Sequence, residues 1–209
     1  YPLGRFPSNT KYALSLMQQV AVNLSVGFDN NRMRSVNGPP GTGKTTLLKD
    51  IFAQLVVQQA YDIANLSNHF IEGTDKTIYF NHASIGEIPE YIIENSIVVA
   101  SSNNGAVQNI VNELPLSKEV DKALLEELKE ADYFREISNA KLSSKWLEDE
   151  NGKKREELFK ESVLGEEKFW GVFSLEGGKT DNMANILKNM KHIHKYLEEE
   201  YVPDQDIYK

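Results

Sequence analysis

The stretch that most constrains the fold is a glycine-rich segment near residue 40. It reads Gly38-Pro39-Pro40-Gly41-Thr42-Gly43-Lys44-Thr45 and fits the pattern G-x-x-x-x-G-K-S/T without a mismatch. This pattern is typical of a phosphate-binding loop, in which a strand ends and a glycine-rich turn wraps a phosphate chain with its backbone N–H groups. A helix then begins at once, with its positive end toward the anion. The sequence therefore predicts a nucleotide-binding site here.

Individual positions of the loop have predicted roles. The glycines allow backbone angles and a close approach that a Cβ would prevent. Lys44 can reach the β- and γ-phosphates, and the Thr45 hydroxyl is placed to ligate Mg²⁺. Lys44 and Thr45 are thus the candidate catalytic residues, with Thr45 the candidate metal ligand. The predicted nucleotide-binding set is Gly38, Pro39, Pro40, Gly41, Thr42, Gly43, Lys44, Thr45 and Thr46.

The sequence around the loop predicts alternating strands and helices. Residues 12–26 predict a helix, 33–37 a short strand, and the apolar spacing after the loop a helix from about 45 to 60. Residues 77–80 predict a short strand outside the main sheet. Residues 95–101 form a near-continuous apolar run, as in a strand buried on both faces, and a helix stopped by Pro115 follows. This order is typical of a parallel α/β sheet.

The second half of the chain has a different character. Residues 120–134 and 183–197 predict amphipathic helices, and 148–155 a solvated turn. No further strand is predicted, apart from a short one at 169–173. We therefore predict an α/β fold with two parts. Residues 1–115 would be an incomplete RecA-like P-loop domain, with a parallel sheet covered by helices on both faces, and 116–209 a mainly helical insertion or subdomain.

Composition narrows the class of protein. The chain has 209 residues, 40% of them hydrophobic and 26% charged, which is ordinary for a soluble domain. It has no apolar run long enough to span a membrane and no signal-peptide pattern. The lack of cysteine excludes disulfides and cysteine-ligated zinc and is compatible with the cytoplasm, which we predict. The net charge of −8 argues against a broad phosphate-coating surface but permits a narrow contact track. The start at Tyr1 and the end at Lys209 lead us to expect a segment of a longer protein.

Three stretches together resemble the N-terminal motor domain of superfamily 1 helicases, in the branch that includes the nonsense-mediated-decay helicases and bacterial relatives. The residue pattern of the phosphate loop, from Gly38 to Thr45, is the form that this family uses. Upstream, residues 14–22 resemble the family's Q motif, L-N-x-x-Q-x-x-A-V, with Ser15 where Asn is usual. The resemblance puts Gln18 in the place that reads adenine, where a carboxamide can donate and accept at once. The alternative is a glutamine on a helix surface.

Downstream, residues 98–108 resemble motif Ia, A-P-S-N-x-A-V-D, with Asn104 at the family's Asn. Ser102, Asn103 and Gln108 replace the family's Pro, Ser and Asp. In that family the loop after this strand contacts the backbone of single-stranded nucleic acid. The resemblance therefore implies that Ser101, Ser102, Asn103 and Asn104 contact a single strand of DNA or RNA. The alternative is that Asn103 or Asn104 caps the following helix, and both can hold at once.

The resemblance implies an ATP-dependent helicase or translocase that uses ATP and Mg²⁺. No apolar run in the chain ends in the Asp-Glu pair that such an ATPase needs to hold Mg²⁺ and activate water. We expect this pair and the second motor domain beyond Lys209, and little hydrolysis by this chain alone. Two other interpretations stay open. One is another P-loop ATPase, AAA-type or a DNA-processing defence enzyme. The other is a non-catalytic nucleotide-binding scaffold whose acidic helical half contacts protein partners.

Other conspicuous residues have simpler interpretations. The segment Gly177-Gly178-Lys179-Thr180 ends like a phosphate loop but has Phe173 where the first glycine belongs. His192 and His194 are two apart on a predicted helix and should point in different directions, and His69 and His82 stand alone. Trp146 and Trp170 are predicted to be packing residues.

Overall fold

The computed structural model combines helices with short strands. It describes residues 2–9, 11, 13–27, 33–39, 41–67, 76–80, 83–86, 88–148, 152–163, 165 and 167–200. The chain divides into two compact units, Tyr1–Ala100 and Ser101–Lys209. The predicted domains 1–115 and 116–209 divide the chain at a different point and stay a prediction.

The described part of the first unit contains three helices and two strands. Helix α1 is Leu16–Val26, α2 is Lys44–Ala64 and α3 is Glu90–Ile93. Strands β1 (Lys76–Phe80) and β2 (Ala83–Gly86) pair antiparallel. The helices predicted before and after the phosphate loop are confirmed, and so is the short strand near 77–80.

The core of the first unit lies between α1 and α2. Leu14, Val22 and Leu47 are buried, and Ala21 and Ile51 pack against them. Burying one such aliphatic side chain stabilises the fold by about 1.5–3 kcal/mol. Because Leu47 lies in the first turn of α2, this cluster fixes the start of α2 beside α1.

Asp50 attaches the N-terminal segment to the second turn of α2. Its carboxylate is buried and accepts hydrogen bonds from the Phe6 N–H at 2.8 Å and from Arg5 Nε at 2.9 Å. The Gly4 N–H donates to Gln54 Oε1, one turn further along α2, at 2.8 Å. The segment therefore lies along α2 through backbone N–H groups that side chains of the helix satisfy.

Two predicted strands are wrong for this chain. Residues 33–37 and 95–101 are described and form no strand. Val98 is 91% exposed, so the run predicted to be buried on both faces is open to solvent. A strand needs a neighbour that takes its backbone hydrogen bonds, and neither segment pairs with a strand of the described chain. The two described sheets are both antiparallel pairs.

The second unit is helical around one long hairpin. Its elements are α4 (Asn104–Glu113), a 3-10 turn (Ser117–Glu119), α5 (Lys122–Glu130), α6 (Arg135–Ser138), β3 (Ala140–Glu148), β4 (Lys154–Ser162), α7 (Thr180–Lys195) and a π-helical turn (Tyr196–Glu200). Helices were predicted in the regions of α4, α5 and α7, and these predictions are confirmed.

The β3–β4 hairpin is the main element that the sequence did not predict. Its register is regular over nine pairs, from Ala140 opposite Ser162 to Glu148 opposite Lys154. The expectation of no strand in this region, apart from 169–173, is therefore wrong. Both strands are rich in Lys, Glu and Ser, so their alternation of apolar and polar residues is weak. The hairpin is stabilised in part by cross-strand pairs of opposite charge. One example is Lys141 with Glu161, whose Nζ and Oε2 atoms are 3.7 Å apart.

The segment around Trp170 closes the core of the second unit. Trp170 is buried, and its indole N–H donates to the Leu114 carbonyl at 2.9 Å. Single bridges join Phe169 to Leu116 and Gly171 to Tyr133, within the region predicted to be a short strand. The Asn139 amide donates to the Phe169 carbonyl at 2.8 Å, and its oxygen accepts from the Phe169 N–H at 3.0 Å.

The two tryptophans behave differently. Trp170 is 4% exposed, which confirms the predicted packing role. Trp146 lies on β3 and is 67% exposed, so the same prediction is wrong for it. The hairpin places Trp146 opposite Glu156 near the turn end, where the described chain provides little apolar cover.

Among the described residues, no helix is long and apolar enough to cross a membrane.

His192 is a buried polar residue in the second unit. It is 5% exposed and lines a cavity of about 50 Å³ with Ile137, Leu158 and Lys160. Its Nε2 has no hydrogen-bond partner within the described part of the chain. Burial lowers the pKa of the imidazole, and a hydrogen bond with the Ser143 backbone partly opposes this effect. The pKa is lowered further by the charges of Lys195, Lys160 and Lys188. The neutral form of His192 is therefore favoured at pH 7.

We expect Asp50→Ala to lower the free energy of unfolding by about 2–3 kcal/mol, because the buried Phe6 N–H loses its acceptor. Urea denaturation followed by circular dichroism measures this. The control is Asp181→Ala, an exposed aspartate in the first turn of α7, which should cost no more than about 1 kcal/mol. Equal losses in the two variants would contradict the role given to Asp50.

Stability should also depend on the protonation of His192. Its folded pKa lies below the usual 6.5, so the unfolded chain binds this proton first as the pH falls. The free energy of unfolding should therefore fall from about pH 6.5 down to the folded pKa, by about 1.4 kcal/mol for each unit of the shift.

The test is to measure unfolding between pH 7.5 and 5, an interval chosen to bracket about 6.5. His192→Phe removes the buried titrating group and should flatten this dependence. His194→Phe changes a histidine whose side chain is 74% exposed and should leave it nearly as in the parent chain. If the free energy of unfolding of His192→Phe depends on pH as strongly as that of the parent chain, other groups cause the dependence.

Candidate functional site

The phosphate-loop motif leads directly into the longest helix of the described chain. Helix α2 begins at Lys44 and runs for 21 residues. Gly41 and Gly43 have φ angles of 81° and 77°, in the left-handed region that favours glycine. The predicted requirement for glycine at these two positions is therefore met by the geometry. Pro40 lies outside the described residues.

The start of α2 has no side-chain cap, as is also true of α3, α6 and α7 in the described chain. Ser15, Asn103 and Asp121 cap α1, α4 and α5 with side-chain oxygens. The cap position of α2 is Gly43, and no side chain of the described chain caps it. The first backbone N–H groups of a helix have no partner within the helix. Those of α2 thus leave an electropositive end at the loop.

The side chains of the loop fold over its first residues. The Lys44 ammonium donates to the carbonyls of Gly38 and Pro39 at 2.6 and 2.7 Å. The Thr42 hydroxyl donates to the Pro39 carbonyl at 2.8 Å. Lys44, Thr42 and Thr45 are exposed, so a ligand can reach this cation and the adjacent hydroxyls from solvent.

The residues present fit a magnesium ion brought by a nucleotide. Mg²⁺ keeps several waters and takes few protein oxygens when phosphates supply the rest. One exposed hydroxyl, that of Thr45 in the first turn of α2, matches this need. Within the described part of the chain, no cluster of three or more His, Cys, Asp or Glu residues could hold a metal ion without such help.

Gln18 lies against the phosphate loop. Its Nε2 donates to the Thr42 carbonyl at 3.1 Å and to the Gly43 carbonyl at 3.5 Å. Its Oε1 accepts from the Ser15 N–H at 2.8 Å, and the Ser15 hydroxyl accepts from the Gln18 N–H at 3.4 Å. The two residues therefore form a capping box at the start of α1. The structure thus brings Gln18 to the loop, and its role toward adenine stays a prediction.

Sequence reasoning missed the part that Ser15 takes in this arrangement. The spacing S-x-x-Q at the start of a helix is a capping-box pattern, and Ser15 and Gln18 follow it. That pattern could have predicted that the Gln18 side chain turns back toward its own backbone.

The second candidate site, residues 101–104, lies in the second unit. Asn103 caps α4, because its Oδ1 accepts from the Gly105 N–H at 3.0 Å. The Ser101 hydroxyl accepts from the Asn103 N–H at 3.0 Å, and Ser101 and Ser102 are exposed. Asn104 is the first residue of α4, and its side chain lies outside the described part. The capping alternative is confirmed for Asn103, and the contact with nucleic acid stays a prediction.

The remaining candidates do not add a site. His192 is buried and His194 is exposed, as predicted for residues two apart on a helix. His69 and His82 lie outside the described residues. Lys179 precedes α7 and is exposed, without the loop that surrounds Lys44.

Comparisons of the chain with models of known families, with curated proteins and with solved structures gave no match. The candidate site therefore rests on the motif and its geometry.

Proposed function

We propose that this chain is the ATP-binding part of an ATP-dependent nucleic-acid motor, a helicase or translocase with a RecA-like P-loop domain. The observation that carries the proposal is the uncapped start of α2 behind two left-handed glycines. A helix end with free N–H groups and a positive dipole favours an anion. Lys44 and Thr45 stand at the same end to meet the terminal phosphates and Mg²⁺.

In this proposal the triphosphate replaces contacts within the loop. The Lys44 ammonium leaves the Gly38 and Pro39 carbonyls and pairs with the β- and γ-phosphates, where charge-assisted contacts are stronger than those to neutral carbonyls. The Thr45 hydroxyl joins the magnesium shell. No apolar run in the chain ends in an Asp-Glu pair, and the pair Asp149-Glu150 follows the polar strand β3, so we propose that the chain binds ATP and hydrolyses it poorly.

The parallel sheet of a RecA-like domain is part of the proposal. Residues 33–37 and 95–101 form no strand in the described chain, so the support for this sheet comes from the sequence. That support is the phosphate-loop motif, the helix after it and the apolar run that follows further along the chain.

We propose single-stranded nucleic acid as the partner of residues 101–104. Two exposed serines and a helix start are compatible with phosphate contacts that do not read sequence. Such contacts need no broad basic surface, which agrees with a chain of net charge −8.

The nucleotide site is tested with Lys44→Ala. We expect at least about a tenfold loss of affinity for Mg·ATP, because one charge-assisted contact to phosphate contributes about 1.5–3 kcal/mol. Isothermal titration calorimetry on the 209-residue chain measures it.

The matched control is Lys179→Ala, which removes an exposed lysine that also stands between a glycine and a threonine at a helix start. Its affinity for ATP should equal that of the parent chain. Loss of binding in both variants, or in neither, would overturn the proposed role of Lys44.

The nucleic-acid contact is tested with Ser102→Glu, which puts a negative charge in the exposed loop. Affinity for a single-stranded oligonucleotide, DNA or RNA, should fall at least about threefold, because a like charge near a phosphate is repelled. Fluorescence anisotropy at low salt measures it. Ser162→Glu adds the same charge at the exposed end of β4 and should have a smaller effect. Equal losses of affinity in the two variants would show that only the net charge of the chain matters, and would contradict a contact at residues 101–104.

A further inference from the structure

The carboxamide of Gln18 is almost fully used within the protein. A glutamine side chain offers two N–H donors and two acceptor lone pairs. The donor group contacts the carbonyls of Thr42 and Gly43, and one acceptor position takes the Ser15 N–H. One lone pair remains for a ligand. Reading the adenine edge needs a donor and an acceptor together, so it would require breaking the contacts with the loop.

The lack of a side chain at Gly43 leaves room for the Gln18 amide beside the loop. A Cβ added at Gly43 would collide with Gln18 Nε2. Glycine at this position therefore serves two needs, its left-handed backbone and the space for the amide. The approach comes from α1, which the buried contact of Val22 with Leu47 holds beside the start of α2.

The contact also fixes the direction of one N–H group of the loop. In a planar trans peptide unit, the C=O of one residue and the N–H of the next point in opposite directions. Because the Thr42 carbonyl points to Gln18, the Gly43 N–H points away from it. The Gly43 carbonyl lies 3.5 Å from Gln18 Nε2 but also accepts from the Leu47 N–H at 3.0 Å, so the first turn of α2 already fixes the Lys44 N–H. Gln18 therefore turns one N–H group, that of Gly43, to the side of the loop opposite α1.

We propose that Gln18 is a positioning residue that orients the phosphate loop and does not select the base. Its amide holds the Thr42 carbonyl and so presents the Gly43 N–H to a triphosphate. The proposal rests on the proposed nucleotide site and specifies its substrate class. The site takes nucleoside triphosphates through the phosphate chain, with little preference between adenine and guanine.

The test compares three ligands with Mg²⁺, namely ATP, GTP and inorganic triphosphate, which has no base. Gln18→Met keeps the length and helix propensity of the side chain and removes its hydrogen bonds. We expect affinity for all three ligands to fall by a similar factor, about fivefold, as for the loss of one or two neutral hydrogen bonds. Competition against a fluorescent nucleotide on the 209-residue chain measures it.

The control is Gln19→Met, one residue further along α1. The Gln19 side chain donates to the Leu14 carbonyl at 2.9 Å and has no recorded hydrogen bond to a described loop residue. Its affinities should match those of the parent chain. A loss for ATP alone in Gln18→Met would make Gln18 an adenine reader and overturn the proposal. Unchanged affinity for all three ligands would overturn it as well.

A measurement without ligand separates this proposal from the proposed function. If the parent chain binds none of the three ligands, the nucleotide site itself fails, and the substrate class inferred here fails with it. The orienting contact is then tested by NMR relaxation of the Thr42 and Gly43 backbone. Gln18→Met should lower their order parameters and Gln19→Met should not. Equal order parameters in both variants would show that Gln18 does not hold the loop.

Discussion

The contact between α1 and the start of α2 is the interaction on which the candidate site depends. Leu14, Val22 and Leu47 form a buried cluster, and Leu47 belongs to the first turn of α2. Burial of apolar side chains stabilises this contact strongly, but it does not fix the orientation of the groups that meet. The direction comes from Gln18, which lies on the same helix as Val22 and hydrogen-bonds the loop. The apolar cluster brings the two helices together, and one amide sets the orientation of the loop between them.

The first turns of α2 are also held by a polar contact. Asp50 is three residues after Leu47 and satisfies the backbone of the N-terminal segment. A buried carboxylate stabilises only when it is well paired, and here it has an N–H and a guanidinium. The first two turns of α2 are thus held by an apolar and a polar contact. A loop at the start of such a helix can keep its N–H groups uncapped, because other contacts hold the helix in place.

The sequence predicted local features well and pairing poorly. The loop, its left-handed glycines and the helix that follows are determined by neighbouring residues, so the motif was sufficient. Residues 95–101 have the composition of a buried strand, but a strand also needs partners, and the described chain does not provide them. The β3–β4 hairpin shows the reverse. Its sequence is polar, and its nine pairs depend on a register that composition does not reveal. Gln18 was predicted to be part of the nucleotide site through adenine, but its hydrogen bonds with the loop were not predicted.

The two candidate sites differ in the chemistry that their helix ends offer an anion. At α4 the Asn103 oxygen already satisfies the Gly105 N–H, so part of the helix end is occupied by its own cap. At α2 the cap position is a glycine and a lysine follows it. An anion at α4 must therefore rely more on the exposed serines 101 and 102. An anion at α2 gains uncapped N–H groups, a positive dipole and an ammonium together. Of the two candidate sites, the loop at residues 38–46 thus offers an anion more contacts than the loop at 101–104.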